Sequence, residues 1–140
     1  MTTVTFAARG IPVPQGALVR SPTGGLYNRG GTRLAVWRSA VRDQATIAMG
    51  DRPPFAGPVR VALSVRFPRL KSHLRRDGTP RPGAPSFVAT VPDIDKVARS
   101  CLDALSGVVF GDDRQVVELY VRKVYGPVPG VAVEVEELEP

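Results

Sequence analysis

Apolar and polar positions alternate most cleanly from Val59 to Phe67. Val59, Val61, Leu63, Val65 and Phe67 share one side, and Arg60, Ala62, Ser64 and Arg66 the other. That period of two predicts a half-buried strand. Shorter alternations predict strands over Thr3–Ala7 and Val131–Glu136, and the β-branched and aromatic run Val116–Tyr125 predicts another. Between Thr32 and Met49 the period changes to that of a helix, with Trp37, Ala40, Val41, Gln44, Ala45, Ile47 and Ala48 as its inward stripe. Gly50 and Pro53-Pro54 end it. A second helix is predicted from about Lys96 to Ser106, with Val97, Cys101, Ala104 and Leu105 inward and Gly107 as its stop. Residues 9–31 and 68–91 are rich in proline or glycine, so the first reads as a loop and the second as a flexible basic loop. The order β, loop, α, β, basic loop, α, β, β predicts a small α+β fold over residues 1–140. It combines a mixed or antiparallel sheet with two main helices in a single domain.

Composition narrows the class. The chain has 140 residues, 43% hydrophobic and 23% charged, which is the composition of a globular domain. No apolar run approaches the ~18 residues of a membrane helix, and no secretory pattern opens the chain. A cytoplasmic protein is therefore expected, in a bacterial cell or a phage-infected host, with no membrane partner and no small-molecule cofactor. Cys101 is the single cysteine and excludes an internal disulfide. Charge changes the picture more. Residues 1–92 carry 14 cations against Asp43, Asp51 and Asp77, whereas acids gather between Asp93 and Asp113 and again in the tail. A basic body with one acidic knot points to a polyanionic partner and a metal.

Phosphodiester hydrolysis needs a water-derived nucleophile and neutralisation of the charge at phosphorus. Mg²⁺ or Mn²⁺ supplies both and is held by clustered carboxylates. Asp93 and Asp95 stand where the second helix begins, and Asp112 and Asp113 follow it. An eleven-residue helix carries the chain about 16 Å, and six extended residues return about 20 Å. The spacing thus predicts all four carboxylates at one end of the helix. Each pair alone also has an ordinary use, Asp93 as an N-cap and Gly111-Asp112-Asp113 as a turn.

Taken as one stretch, Pro92-Asp93-Ile94-Asp95, then Asp103-Ala104-Leu105, then Asp112-Asp113-Arg114-Gln115-Val116 resembles the RusA family of Holliday-junction resolvases. That family carries Pro-Asp-x-Asp-Asn, a helix with Asp-Ala-Leu, and Asp-Asp-x-Gln-Val leading into a strand. The resemblance implies a homodimeric endodeoxyribonuclease that nicks two opposed strands of four-way DNA in recombination and repair, using Mg²⁺ or Mn²⁺. It implies metal ligation by Asp93, Asp95 and Asp113, with Asp112 beside them. It also carries a functional basic position onto Arg99, usually lysine, and puts Lys96 where asparagine is usual and Val91 where lysine is common. Arginine at position 99 holds a phosphate well but does not give up a proton. Lys96 is placed either to contact the scissile phosphate or to weaken metal binding.

Arg69, Lys71, Arg75, Arg76 and Arg81 lead into the aspartates and are expected to follow DNA phosphates, as is Arg114. Arg20, Arg29 and Arg33 are weaker candidates of the same kind. Phe67, Phe87 and Tyr27 are candidates for stacking at an opened junction, with packing as their more ordinary use. His73 is expected in solvent and Cys101 in the core. An alternative function is a branched-DNA-binding protein with weak or no catalysis. A basic domain whose charge reflects codon composition predicts no preference for branched DNA at all.

Overall fold

The computed structural model describes residues 2–16, 18–28 and 31–140, and for 18–20 and 26–28 it describes the backbone alone. The elements in chain order are strand β1 (Thr2–Arg9), β2 (Leu18–Arg20), β3 (Leu26–Asn28), helix α1 (Gly31–Met49), β4 (Val59–Phe67), helix α2 (Ile94–Leu105), β5 (Val116–Tyr125) and β6 (Gly130–Glu137). The main sheet has the order β1-β6-β4-β5. β6 pairs antiparallel with both β1 and β4, while β4 and β5 run parallel. This is the mixed sheet with two helices that the pattern predicts.

The parallel pair follows from α2. A crossover helix between β4 and β5 carries the chain back along the sheet, so β5 starts where β4 starts, with Val59 opposite Val116 and Phe67 opposite Tyr125. The alternation in β4 becomes a burial pattern: Val59, Val61, Leu63, Val65 and Phe67 lie in the core beneath the helices. α1 buries Leu34, Trp37, Val41, Ala45 and Met49. Ile47, assigned inward from the sequence, is 71% exposed, because at 100° per residue it faces away from its neighbours Ala45 and Met49. The α1–α2 contact contains one buried polar chain. Trp37 Nε1 donates to Ser100 Oγ at 3.3 Å, and Ser100 donates to the Val97 carbonyl at 2.9 Å. Cys101 is fully buried beside them, as expected, and burial pushes its thiol up to about 12.

Two segments read as loops are more ordered. β2 and β3 form a small antiparallel hairpin around Ser21–Gly25 within residues 9–31. Residues 68–91 fold through a 3-10 turn at Lys71–His73 and a set of backbone bonds, including Arg75 N to Thr79 O and Arg81 N to His73 O, both 2.8 Å. His73 is half-buried rather than in solvent. Its ring meets the edge of Tyr125 at 4.8 Å, because the segment packs back on the end of β5. At the other side of the sheet, β6 opens at Gly130, where a Cβ would collide with the Ala8 carbonyl of β1. Among the described residues, no helix is long and apolar enough to cross a membrane.

Candidate active site

The first acid pair is positioned by the far end of β5. Residues 86–88 add to that end, Val88 N donating to Lys123 O and Tyr125 N to Ser86 O, both at 3.0 Å. The Lys123 ammonium then donates to the carbonyls of Thr90 at 2.7 Å and Pro92 at 2.6 Å. The chain turns there through a cis Val91–Pro92 peptide. Asp93 occupies the N-cap position of α2 with an extended backbone, but its side chain makes no capping bond. Its carboxylate is exposed, as is that of Asp95 in the first turn, near the positive end of the helix.

Lys96 Nζ donates to Asp95 Oδ2 at 3.1 Å. That hydrogen bond, more than the charge itself, holds the Asp95 carboxyl below the usual carboxylate range. Both side chains are largely open to solvent, so the pair contributes little to stability. Arg99 is exposed one turn beyond Asp95, at the i+4 position that shares its face.

The second acid pair sits at the opposite end. After α2, Gly107 N donates to Phe110 O at 2.7 Å, closing a tight turn. Val109 and Phe110 are buried, and Phe55 N donates to Val109 O at 2.8 Å. Asp112 then caps a 3-10 turn over Asp113–Gln115 by accepting from Arg114 N at 2.9 Å. That backbone donor lowers the Asp112 carboxyl first, assisted by the charge of Arg114, whose Nε lies 3.9 Å away. Asp113 is exposed.

The expectation that all four carboxylates meet at one end of α2 is therefore corrected. Asp93 and Asp95 lie at its start, beside the end of β5, and Asp112 and Asp113 lie beyond its finish, at the start of β5. Twelve helical residues separate them by on the order of 18 Å, and carboxylates sharing a metal must approach to within a few ångströms of it. The reason is the apolar run Val108-Val109-Phe110. It packs under the sheet against Phe55 instead of running back along the helix. Among the described residues no three of His, Cys, Asp and Glu are grouped to hold a metal. Within a single chain the four acids expected as ligands are thus divided into two pairs too far apart to share one ion.

Two residues whose roles sequence reasoning missed hold these half-sets in place. Gln115 Oε1 accepts from Gly111 N at 2.8 Å and Asp112 N at 3.0 Å. Its Nε2 donates to the Phe55 and Gly57 carbonyls, each at 2.9 Å. It thereby ties the acidic turn to the entry of β4. Lys123 does the same for residues 90–92. Gln115 stood inside the recognised motif, so its position was visible and its four partners were not.

Among the cations, Lys71, Arg75, Arg76 and Arg114 are exposed. Arg69 uses one nitrogen on the Pro85 carbonyl at 2.7 Å and lies 5.6 Å over the Tyr125 ring. Arg81 donates to the Leu74 carbonyl at 2.9 Å. Both therefore help fold the segment that carries the others. Arg33 lies in the same cleft as Asp93 and Lys96. Phe67 is buried and Phe87 is 61% exposed. Arg29 and the side chains of Arg20 and Tyr27 fall outside what the structure describes.

The chain is thus a small α+β domain, a mixed sheet with a crossover helix flanked by two exposed acid pairs and a basic approach segment. A profile of the RusA family, described as endodeoxyribonuclease RusA, matches residues 13–136, and the chain belongs to that family. It is also 30% identical, over 153 aligned positions covering 99% of both chains, to the protein YqaN of Bacillus subtilis (strain 168), which is described as uncharacterized. Family membership makes the chain an endodeoxyribonuclease of the Holliday-junction-resolving kind.

Proposed function

We propose that this protein resolves four-way DNA junctions as a homodimer, by paired symmetric nicks that require Mg²⁺ or Mn²⁺. In this reading Asp93 and Asp95 of one chain, together with the partner's Asp112 and Asp113, form each metal-binding set. The observation that carries the reading is the separation of the acid pairs by the length of β5, combined with the state of that strand. β5 is the edge of the sheet. Its central stretch displays Val117, Leu119 and Tyr120 at 59%, 47% and 61% exposure, and an apolar free edge is a template for a further strand. Residues 86–88 occupy that edge over 123–125, so a second β5 running antiparallel across a two-fold axis pairs along 116–122 and directs the start of each strand toward the end of the other. Each chain's Asp112–Asp113 turn then comes beside the partner's Asp93–Asp95. Two-fold symmetry also supplies the second incision that a junction needs.

Arg99, on the face of Asp95, holds the phosphate near the cut, and Lys71, Arg75, Arg76 and Arg114 follow the backbone of the arms. Arg69 and Arg81 add charge to the same segment. The lysine contact at Asp95 favours a second reading, in which Lys96 occupies a would-be metal-ligating oxygen and the protein binds junctions with weak or no cleavage.

The test incubates a labelled mobile four-way junction with the protein, with and without Mg²⁺, alongside Asp95→Asn. Paired metal-dependent nicks that vanish in the variant support the first reading, and tight binding without nicks in either metal supports the second. Mixing inactive Asp93→Asn with inactive Asp113→Asn tests the shared site. A heterodimer with shared sites regains one intact centre and nicks one strand, whereas sites built within one chain stay dead.

A further inference from the structure

Beside the first acid pair lies a cleft of about 720 Å³ that no role above uses. Its lining is mainly apolar and includes Ile11, Pro12, Phe67, Leu70, Val88 and Tyr125. Its polar groups are few. Thr90 and Gln15 bring a hydroxyl and an amide, and Arg33, Lys96 and Asp93 also line it. A cleft of this size with apolar walls and a few convergent polar groups is the form of a small-ligand site. Its cations select a ligand that is apolar in body and anionic at one end.

We infer that this cleft receives one unstacked nucleobase of the cleaved strand, taken from the nucleotide adjoining the scissile phosphate. The inference rests on the reading that Asp93 and Asp95 face that phosphate. The cleft shares Asp93 and Lys96 with the acid pair, so a phosphate held there by Lys96 and Arg33 places the attached sugar and base at the mouth. The Tyr125 ring and the aliphatic wall offer the base the surface it loses on leaving its stack, and Thr90 and Gln15 meet its polar edge. At the open branch point of a metal-free junction this costs less than within a continuous duplex, because a base pair there has a stacking neighbour on one side only. The cleft thereby selects branched over linear duplex and gives the cut a base preference that backbone contacts alone do not supply.

The experiment measures binding without metal, so that it does not depend on cleavage. Four-way junctions are prepared with a single abasic position moved stepwise across the branch point, and their affinities are compared for the unaltered protein and two variants. Thr90→Leu narrows the cleft at an exposed position, and Tyr125→Leu removes the ring. The unaltered protein is expected to lose affinity roughly tenfold at one abasic position and little at the others. Each variant is expected to bind the intact junction more weakly by a similar factor and to be indifferent to that abasic position. Equal affinities at every abasic position, or variants as sensitive as the parent, would overturn the base pocket. If the single-position loss persists in a protein that never nicks DNA, the pocket stands and the nuclease reading falls.

Discussion

Replacing Gln115 by alanine tests whether the acidic turn is built as described. The side chain makes four hydrogen bonds of 2.8 to 3.0 Å, two accepted from the turn itself and two donated to the strand-entry segment at Phe55 and Gly57. A hydrogen bond is worth about 1 kcal/mol net. The two accepted bonds lie at exposed amides, where water replaces a lost acceptor, so they count for less. The two donated bonds are partly buried, and alanine leaves both carbonyls without their donor. Together these give a loss of about 2–3 kcal/mol. With a urea slope of about 1.5 kcal/mol/M for a chain of this size, the unfolding midpoint falls by about 1.3–2 M. Gln115→Glu separates the halves. It keeps the acceptor for Gly111 and Asp112 but turns an oxygen toward two carbonyls, and it is expected to cost at least as much as the lost donors. Urea unfolding followed by tryptophan fluorescence reads both variants through Trp37. A change below about 0.5 kcal/mol for alanine, the range of an ordinary surface substitution, would refute the assignment of Gln115 as the brace of this turn.

Further outcomes follow from other contacts. Leu119→Arg on the β5 edge is expected to convert a dimer to a monomer by size-exclusion with light scattering and to abolish nicking while junction contacts on each monomer persist; an unchanged dimer would place the interface elsewhere. Neutralising Lys71, Arg75 and Arg76 together should weaken binding to every junction sequence alike and flatten the salt dependence of log K by about 2–3 units, read from titrations at several salt concentrations. Cys101 has a folded-state value raised above that of the unfolded thiol, so it favours folding fully below about pH 8.5, and that advantage is lost as pH rises from there toward about 12. Cys101→Ala should therefore show a smaller fall in stability between pH 8 and pH 10.5 than the parent. Lys96→Met removes the donor to Asp95 and should raise the Asp95 titration midpoint, seen by carboxyl-carbon NMR.

Much of the architecture was legible in the sequence because period and burial are tied. The alternation in Val59–Phe67 became the central strand, and the stripe at Val97, Cys101, Ala104 and Leu105 became the inner face of α2. The acid pairs were legible as residues but not as a place. Chain length between Gly107 and Asp113 sets a reach and says nothing of direction, and the direction is set by burial of Val109 and Phe110 against Phe55. Three apolar residues in a row are poor material for an exposed return and were the available signal. The hairpin of β2 and β3 was equally visible in Leu18-Val19-Arg20 and Leu26-Tyr27-Asn28 flanking a Ser-Pro-Thr-Gly-Gly turn, and was hidden by the glycine and proline count around it. His73 was read from its neighbours in sequence, whereas its surroundings are set by Tyr125, 52 positions away along the chain.

The bracing of β5 at both ends has a geometric consequence. Gln115, directly before the strand's first residue, ties one acid pair to the entry of β4, and Lys123 anchors the approach to the other near the strand's end. The strand therefore works as a calliper, with a jaw fixed at each end. In the proposed dimer two such callipers lie side by side, and the gap between the two proposed cutting centres is set by the length of the strand. On that proposal a junction has to bring its opposed phosphates to that gauge, and the protein sets the spacing of the cuts. Adding two residues to β5, which preserves which side chains face the core, should lengthen the gauge by about 7 Å and shift both nicks symmetrically.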